Sequence, residues 1–114
     1  MAPNVAGLVA YLFGIVSGIL LLVIEPYKND RFVRFHAFQA IFFTVAVFAI
    51  MILLTILSTM LAVIAGPLVI IMFPIGLIVY LGIFVYWIVL MYKAYSNERH
   101  MIPFIGELAA KQAG

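Results

Sequence analysis

Two histidines, four carboxylates and a scatter of hydroxyls are the polar chemistry this chain offers. His36 and His100, taken with Glu25, Asp30 or Glu98, are the candidate metal ligands, and their separations lack the spacing of a zinc site. There is no cysteine, which removes disulfides, thiolate ligands and a thiol nucleophile. No nucleophile stands beside a base and no glycine-rich loop is present to cradle a phosphate. The expectation is therefore no catalytic residues, no metal and no resident cofactor. Bound lipid is expected instead, with pigment or haem contact only through a partner.

The densest polar block is Arg31-Phe-Val-Arg-Phe-His-Ala-Phe-Gln39. On a helix, Phe32, His36, Gln39 and Phe43 form one stripe, and Arg31, Phe35, Phe38 and Phe42 form the next. Arg31 and Arg34, together with Lys93, suit anionic lipid head groups or topology anchoring by snorkelling. His36 and Gln39 belong to the same expected cytoplasmic-interface set. They sit deeper and need hydrogen-bond partners, for which the C-terminal tail is the nearest source.

The elements that hold this block are written in the distribution of charge. The chain is 68% hydrophobic and 9% charged over 114 residues, whereas a soluble domain is about 25% charged. This excludes a soluble enzyme, a disordered segment and a nucleic-acid module, and leaves a single membrane domain over residues 1–114. All charged side chains fall between Glu25 and Arg34 or between Lys93 and Lys111. A crossing needs about 20 apolar residues. The stretch 5–24 supplies one, and the uncharged stretch 35–92 supplies two, separated at Gly66-Pro67.

The expected fold is thus an all-α membrane protein with three transmembrane helices, at about 5–24, 37–65 and 67–92. A cytoplasmic loop covers 25–36, with the first turns of the second helix able to reach back to Arg31, and a cytoplasmic tail covers 93–114. Pro74 either kinks the third helix, the preferred reading, or marks its true start. With three spans every basic residue lies on one side, which the positive-inside rule makes cytoplasmic, with the N-terminus outside. The expected location is the prokaryotic cytoplasmic membrane. In the tail, Pro103 opens a short amphipathic helix whose Phe104, Ile105 and Leu108 side rests on the membrane or on the first loop.

Within the spans, Gly7, Tyr11, Gly14 and Gly18 line one face of the first helix, and Gly14 with Gly18 permits close backbone approach. Packing inside the molecule is the first reading and a dimer or partner interface the second. Gly76 and Gly82 are the expected matching groove. No Asp, Glu, Lys or Arg lies deep in a span, which argues against an autonomous pump.

Four segments carry a resemblance: Asn4-Val-Ala-Gly-Leu, the Arg31 to Gln39 block, Lys93-Ala-Tyr and Ile102-Pro-Phe-Ile-Gly-Glu-Leu-Ala. Together they are similar to a family of small prokaryotic integral membrane proteins of unknown function, distantly similar to the Tic-type chloroplast protein-import component. The resemblance covers nearly the whole chain. It implies a helical membrane protein with about three spans, no catalytic residues, and a role beside a translocation or assembly machine. The expected function is a non-enzymatic accessory or scaffold subunit whose partners are membrane lipids and other membrane subunits, not nucleic acid. The alternative is a homo-oligomeric transporter or channel component.

Overall fold

The computed structural model describes residues 2–114. The chain is all-helical, with no strand among the described residues. Two short helices, α1 (Pro3–Leu12) and α2 (Ile15–Val23), are followed by a 3-10 turn at Tyr27–Asn29 and by the long α3 (Arg31–Ala65). A 3-10 segment, Gly66–Ile71, leads into α4 (Met72–Tyr95), and α5 (Ile105–Ala113) ends the chain.

The helical run Arg31–Tyr95 is long and apolar enough to cross a membrane. Laid straight, its 65 residues would reach about 98 Å at 1.5 Å per residue. The longest dimension of the molecule is 54 Å, so α4 folds back along α3. Gly66 makes the reversal at φ +56°, a left-handed conformation that glycine adopts without penalty. Asp30 starts α3, its Oδ1 accepting from the amides of Phe32 at 2.9 Å and Val33 at 3.3 Å. Such a cap is worth about 1 kcal/mol.

Two expectations are corrected here. The stretch 5–24 is two helices of 10 and 9 residues, each far short of the roughly 20 a crossing requires. Gly14, at φ +60°, reverses the chain between them. The contacts trace a hairpin: Gly7 faces Phe32 and His36, Gly14 faces Thr44, and Gly18 returns to Ala37 and Ile41. The N-terminal end therefore lies beside the end of α4, where Asn4 Nδ2 donates to the Tyr95 carbonyl at 2.9 Å, and not at the opposite pole.

The first turns of α3 reach back to Arg31, as the sequence allowed, because the Asp30 cap sets its start. Pro74 lies in the first turn of α4, after the 3-10 segment, which matches the alternative reading that it marks the start of this helix and not the preferred kink. A proline is tolerated there, since that amide has no partner inside the helix.

The core is confined to one end. Ala6, Ala10, Tyr11, Val33, Ala37, Ala40, Leu90 and Ala94 are buried where the hairpin sits between α3 and α4. On the other side of α3, Phe35 packs with Ala109 and Ala113 of α5. Beyond Thr44 the molecule is a bare pair of helices with Phe48, Ile52, Val63, Ile64, Ile70, Phe73 and Ile78 exposed. The result is a packed head on an apolar stem.

Candidate functional site

The head is organised around one polar cluster, built from the faces of α1, α3 and α4 and from the extended segment leading to α5. Tyr11 comes from the inner face of α1, His36 and Gln39 from one stripe of α3, and Tyr86 and Trp87 from α4. Tyr11, His36 and Gln39 are each at most 1% exposed. At that depth every polar atom needs a partner, and among the described residues no buried side-chain polar atom lacks one.

The bonding capacities fix who donates. Gln39 Nε2 donates one proton to Tyr11 Oη at 2.7 Å and the other to the His100 carbonyl at 2.9 Å. Tyr11 Oη in turn donates to His36 Nδ1 at 2.7 Å. With Nδ1 accepting, the imidazole proton resides on Nε2, which donates to the Glu98 carbonyl at 3.0 Å. Gln39 Oε1 accepts from the Ile102 amide at 3.0 Å. A neutral His36 satisfies this geometry completely. Its ring also lies edge-on to Tyr11, Phe32 and Phe35, with centroids 4.6–5.4 Å away.

Positions 98, 100 and 102 of the tail thus have their backbone groups held by two side chains of α3. This segment is non-helical, so its amides and carbonyls lack helix partners, and such backbone is stable in an apolar setting only when the protein supplies them. The break in the N-terminal hairpin is served in the same way. Ser17 Oγ donates to the Ala10 carbonyl at 2.8 Å and accepts from the Phe13 amide at 3.3 Å. Trp87 Nε1 donates to the Tyr11 carbonyl at 2.6 Å. The cluster is a set of backbone partners for two interruptions in helical structure.

The interface residues separate into three groups. Arg31 is exposed. Arg34 turns inward: Nη1 donates to the Lys28 carbonyl at 3.0 Å, while Nε and Nη2 reach the Ala113 and Gln112 carbonyls at 3.4 Å. It holds the last turn of α5, whose carbonyls carry the negative end of that helix. Lys93 pairs with Glu98 at 3.1 Å. His36 and Gln39 are buried and so are not head-group contacts. Their amphipathic spacing on α3 is equally that of an internal stripe.

The glycines divide likewise. Gly7, Gly14 and Gly18 pack within the molecule, and a Cβ on Gly18 would lie 2.8 Å from Ile41 Cγ1 and 2.9 Å from the Ala37 carbonyl. Gly76 and Gly82 have no such neighbour within 4 Å, so they form no groove for the hairpin. The tail helix does not rest its Phe104 and Leu108 side on the first loop, which leaves the membrane as the surface expected for it. Its small-residue face, Gly106, Ala109 and Ala113, is buried, whereas Phe104 and Leu108 point outward, Phe104 at 86% exposure.

Tyr86 and His100 were absent from the expected interface set. Tyr86 Oη lies 2.9 Å from His100 Nε2, and the pair closes the cluster from the α4 side. The spacing of Tyr86, Leu90 and Ala94 in steps of four was the available signal. No group of three His, Asp or Glu side chains converges among the described residues. A mainly apolar cleft of about 370 Å³ opens above Tyr11 and Trp87, between the hairpin tip, α3 and α4.

Comparison with known proteins places the chain among small membrane proteins. A UPF0132 membrane protein of Archaeoglobus fulgidus is 38% identical over 114 residues, covering 100% of this chain and 98% of its own. Two UPF0132 membrane proteins of Methanocaldococcus jannaschii are 34% and 32% identical, covering 93% and 95% of this chain and 84% and 68% of theirs. These names support a membrane location. No solved structure matches. The small-membrane-protein part of the sequence resemblance therefore holds, and none of these relatives is a Tic-type import component. The MamF/MmsF family model matches residues 2–109, and the chain belongs to this magnetosome magnetite crystal formation protein family.

Proposed function

We propose that the chain is a small, non-enzymatic integral membrane scaffold that crosses the bilayer twice, through α3 and α4. The hairpin α1–α2 and the tail enter from the charged side and return to it. The carrying observation is the division between a head whose buried polar side chains are all bonded and a stem whose large apolar side chains are exposed. A surface such as that of the stem belongs against lipid or another membrane subunit.

This topology keeps the charge logic while changing the span count. Glu25 to Arg34 precedes α3 and Lys93 to Lys111 follows α4, so two crossings gather every basic residue on one side. The positive-inside rule makes that side cytoplasmic. The uncharged part of α3, residues 35–65, is about 46 Å long, against a hydrocarbon core of about 30 Å. Tilt or local thickening accommodates the excess.

Local chemistry favours scaffolding over conduction and over mineral contact. Thr55 and Thr59 in the stem donate to the Met51 and Thr55 carbonyls at 2.9 Å, so these hydroxyls are used within their own helix. The family description names magnetite crystal formation. In this chain Glu25 pairs with Lys28 and Glu98 with Lys93, while Asp30 caps α3, which engages three of the four carboxylates.

Photo-crosslinking from Phe48 in native membranes tests the proposal. A discrete adduct with another membrane subunit at fixed stoichiometry is expected. Ion or solute flux from the purified chain alone in liposomes would favour the homo-oligomeric channel and overturn it.

A further inference from the structure

Two unrelated segments of the chain stop at the same depth. The turn of the N-terminal hairpin, at Gly14, lies against Thr44. The turn of the tail brings Ile102 and Ile105 to the groove formed by Phe43, Ala46 and Tyr86. Thr44 is 13 residues beyond Arg31, or about 20 Å along α3 at 1.5 Å per residue. Half of a hydrocarbon core is about 15 Å.

Both segments present apolar surface outward. On the hairpin this comprises Phe13, Val16, Leu20 and Val23, and on the tail Phe104 and Leu108, which flank the exposed Glu107. Neither α1 nor α2 contains a charged residue, so a fully aqueous head would leave that surface against water. Charges flank the points where the segments leave and return, at Glu25 and Lys28, at Lys93, Glu98 and Arg99, and at Glu107 and Lys111 of α5. Tyr92 and Tyr95 are exposed there, as aromatic residues at a membrane interface are. The surface is continuous with the apolar stem, and its occupant is therefore lipid of the charged-side leaflet.

From this we infer that the chain is a wedge-shaped membrane inclusion that favours bilayers convex toward its charged face. One leaflet holds α1, α2, α3, α4 and the tail, while the other holds α3 and α4 alone. Each helix with its side chains is about 10–12 Å across, so the area displaced differs more than twofold between leaflets. Bending that expands the charged-side leaflet relieves the mismatch. The inference rests on the proposed two-crossing topology with both appended segments inserted from one side.

The test uses the full chain, reconstituted into fluid phospholipid vesicles of mixed diameter and carrying Gly114→Cys for labelling. An impermeant thiol dye marks molecules whose charged face points outward. Dye is introduced to the lumen in a parallel preparation to mark the inverse orientation. Protein density per unit membrane area is then read vesicle by vesicle. For the outward orientation, density should rise severalfold from the largest to the smallest vesicles, and for the inward orientation it should fall. A flat profile, or the same trend in both orientations, would overturn the wedge. Parallel labelling of Ala2→Cys separates the two failures. Labelling of positions 2 and 114 from opposite faces would remove the topology itself, whereas same-face labelling with a flat profile would remove the wedge alone.

Discussion

Asn4 and Tyr95 are 91 positions apart in the chain and are joined by a hydrogen bond of 2.9 Å from the side-chain amide to the backbone carbonyl. That bond puts the start of α1 at the end of α4. A chain that crossed the membrane through residues 5–24 would place these residues at opposite poles. The same juxtaposition is repeated one turn deeper, where Gly7 packs against Ala94 as well as His36. The hairpin is thus held at its base by α4 and at its tip by α3.

Gly18 is packed against both a side chain and a backbone carbonyl of α3. Gly18→Leu should displace the hairpin from Ala37 and Ile41, at a cost of about 1–3 kcal/mol for overpacking. Trp87 is the single tryptophan and its indole binds the Tyr11 carbonyl, so its emission reports docking. A red-shifted Trp87 and a lowered unfolding midpoint in detergent are expected. Gly82→Leu, with no neighbour within 4 Å, should leave both unchanged.

Gln39 anchors the tail through two backbone groups. Gln39→Leu leaves the Ile102 amide and the His100 carbonyl without partners, which costs about 1–3 kcal/mol for each buried group. Tryptic cleavage after Arg99 should accelerate markedly, because the segment must open to be cut. Tyr11→Phe should also accelerate it, and the double variant should fall short of the sum, since the two residues share the Gln39–Tyr11 bond. Strict additivity would contradict the network.

Arg34 acts through the planarity of its guanidinium. Arg34→Lys keeps the charge and loses the fork that reaches Lys28, Gln112 and Ala113. Hydrogen exchange in the last turn of α5 should rise severalfold, with α3 unaffected. Equal protection in the two proteins would show that the contact does not hold the helix.

How much of this was legible follows from where the physical signal lies. The charge-free lengths announce a membrane protein, and Gly66-Pro67 announces the turn between α3 and α4. The need of His36 and Gln39 for partners from the tail was readable from their depth in an aromatic block. The reversal at Gly14 was hidden, because Gly14 and Gly18 at a four-residue spacing read equally well as a continuous packing face. The distinguishing feature is a backbone angle, φ +60°, and composition carries no trace of it. The docking face of the tail helix was hidden for a related reason. The helix Ile105–Ala113 docks through its smallest residues, so that its largest side chains face outward.

The central claim is that the N-terminal apolar segment enters and leaves on one side. The chain has no native cysteine, so Ala2→Cys, Leu68→Cys and Gly114→Cys can each be introduced singly and labelled in sealed vesicles with an impermeant thiol reagent. Positions 2 and 114 should react from the same face, and position 68, in the turn between α3 and α4, from the opposite one. Labelling of positions 2 and 114 from opposite faces would contradict the account.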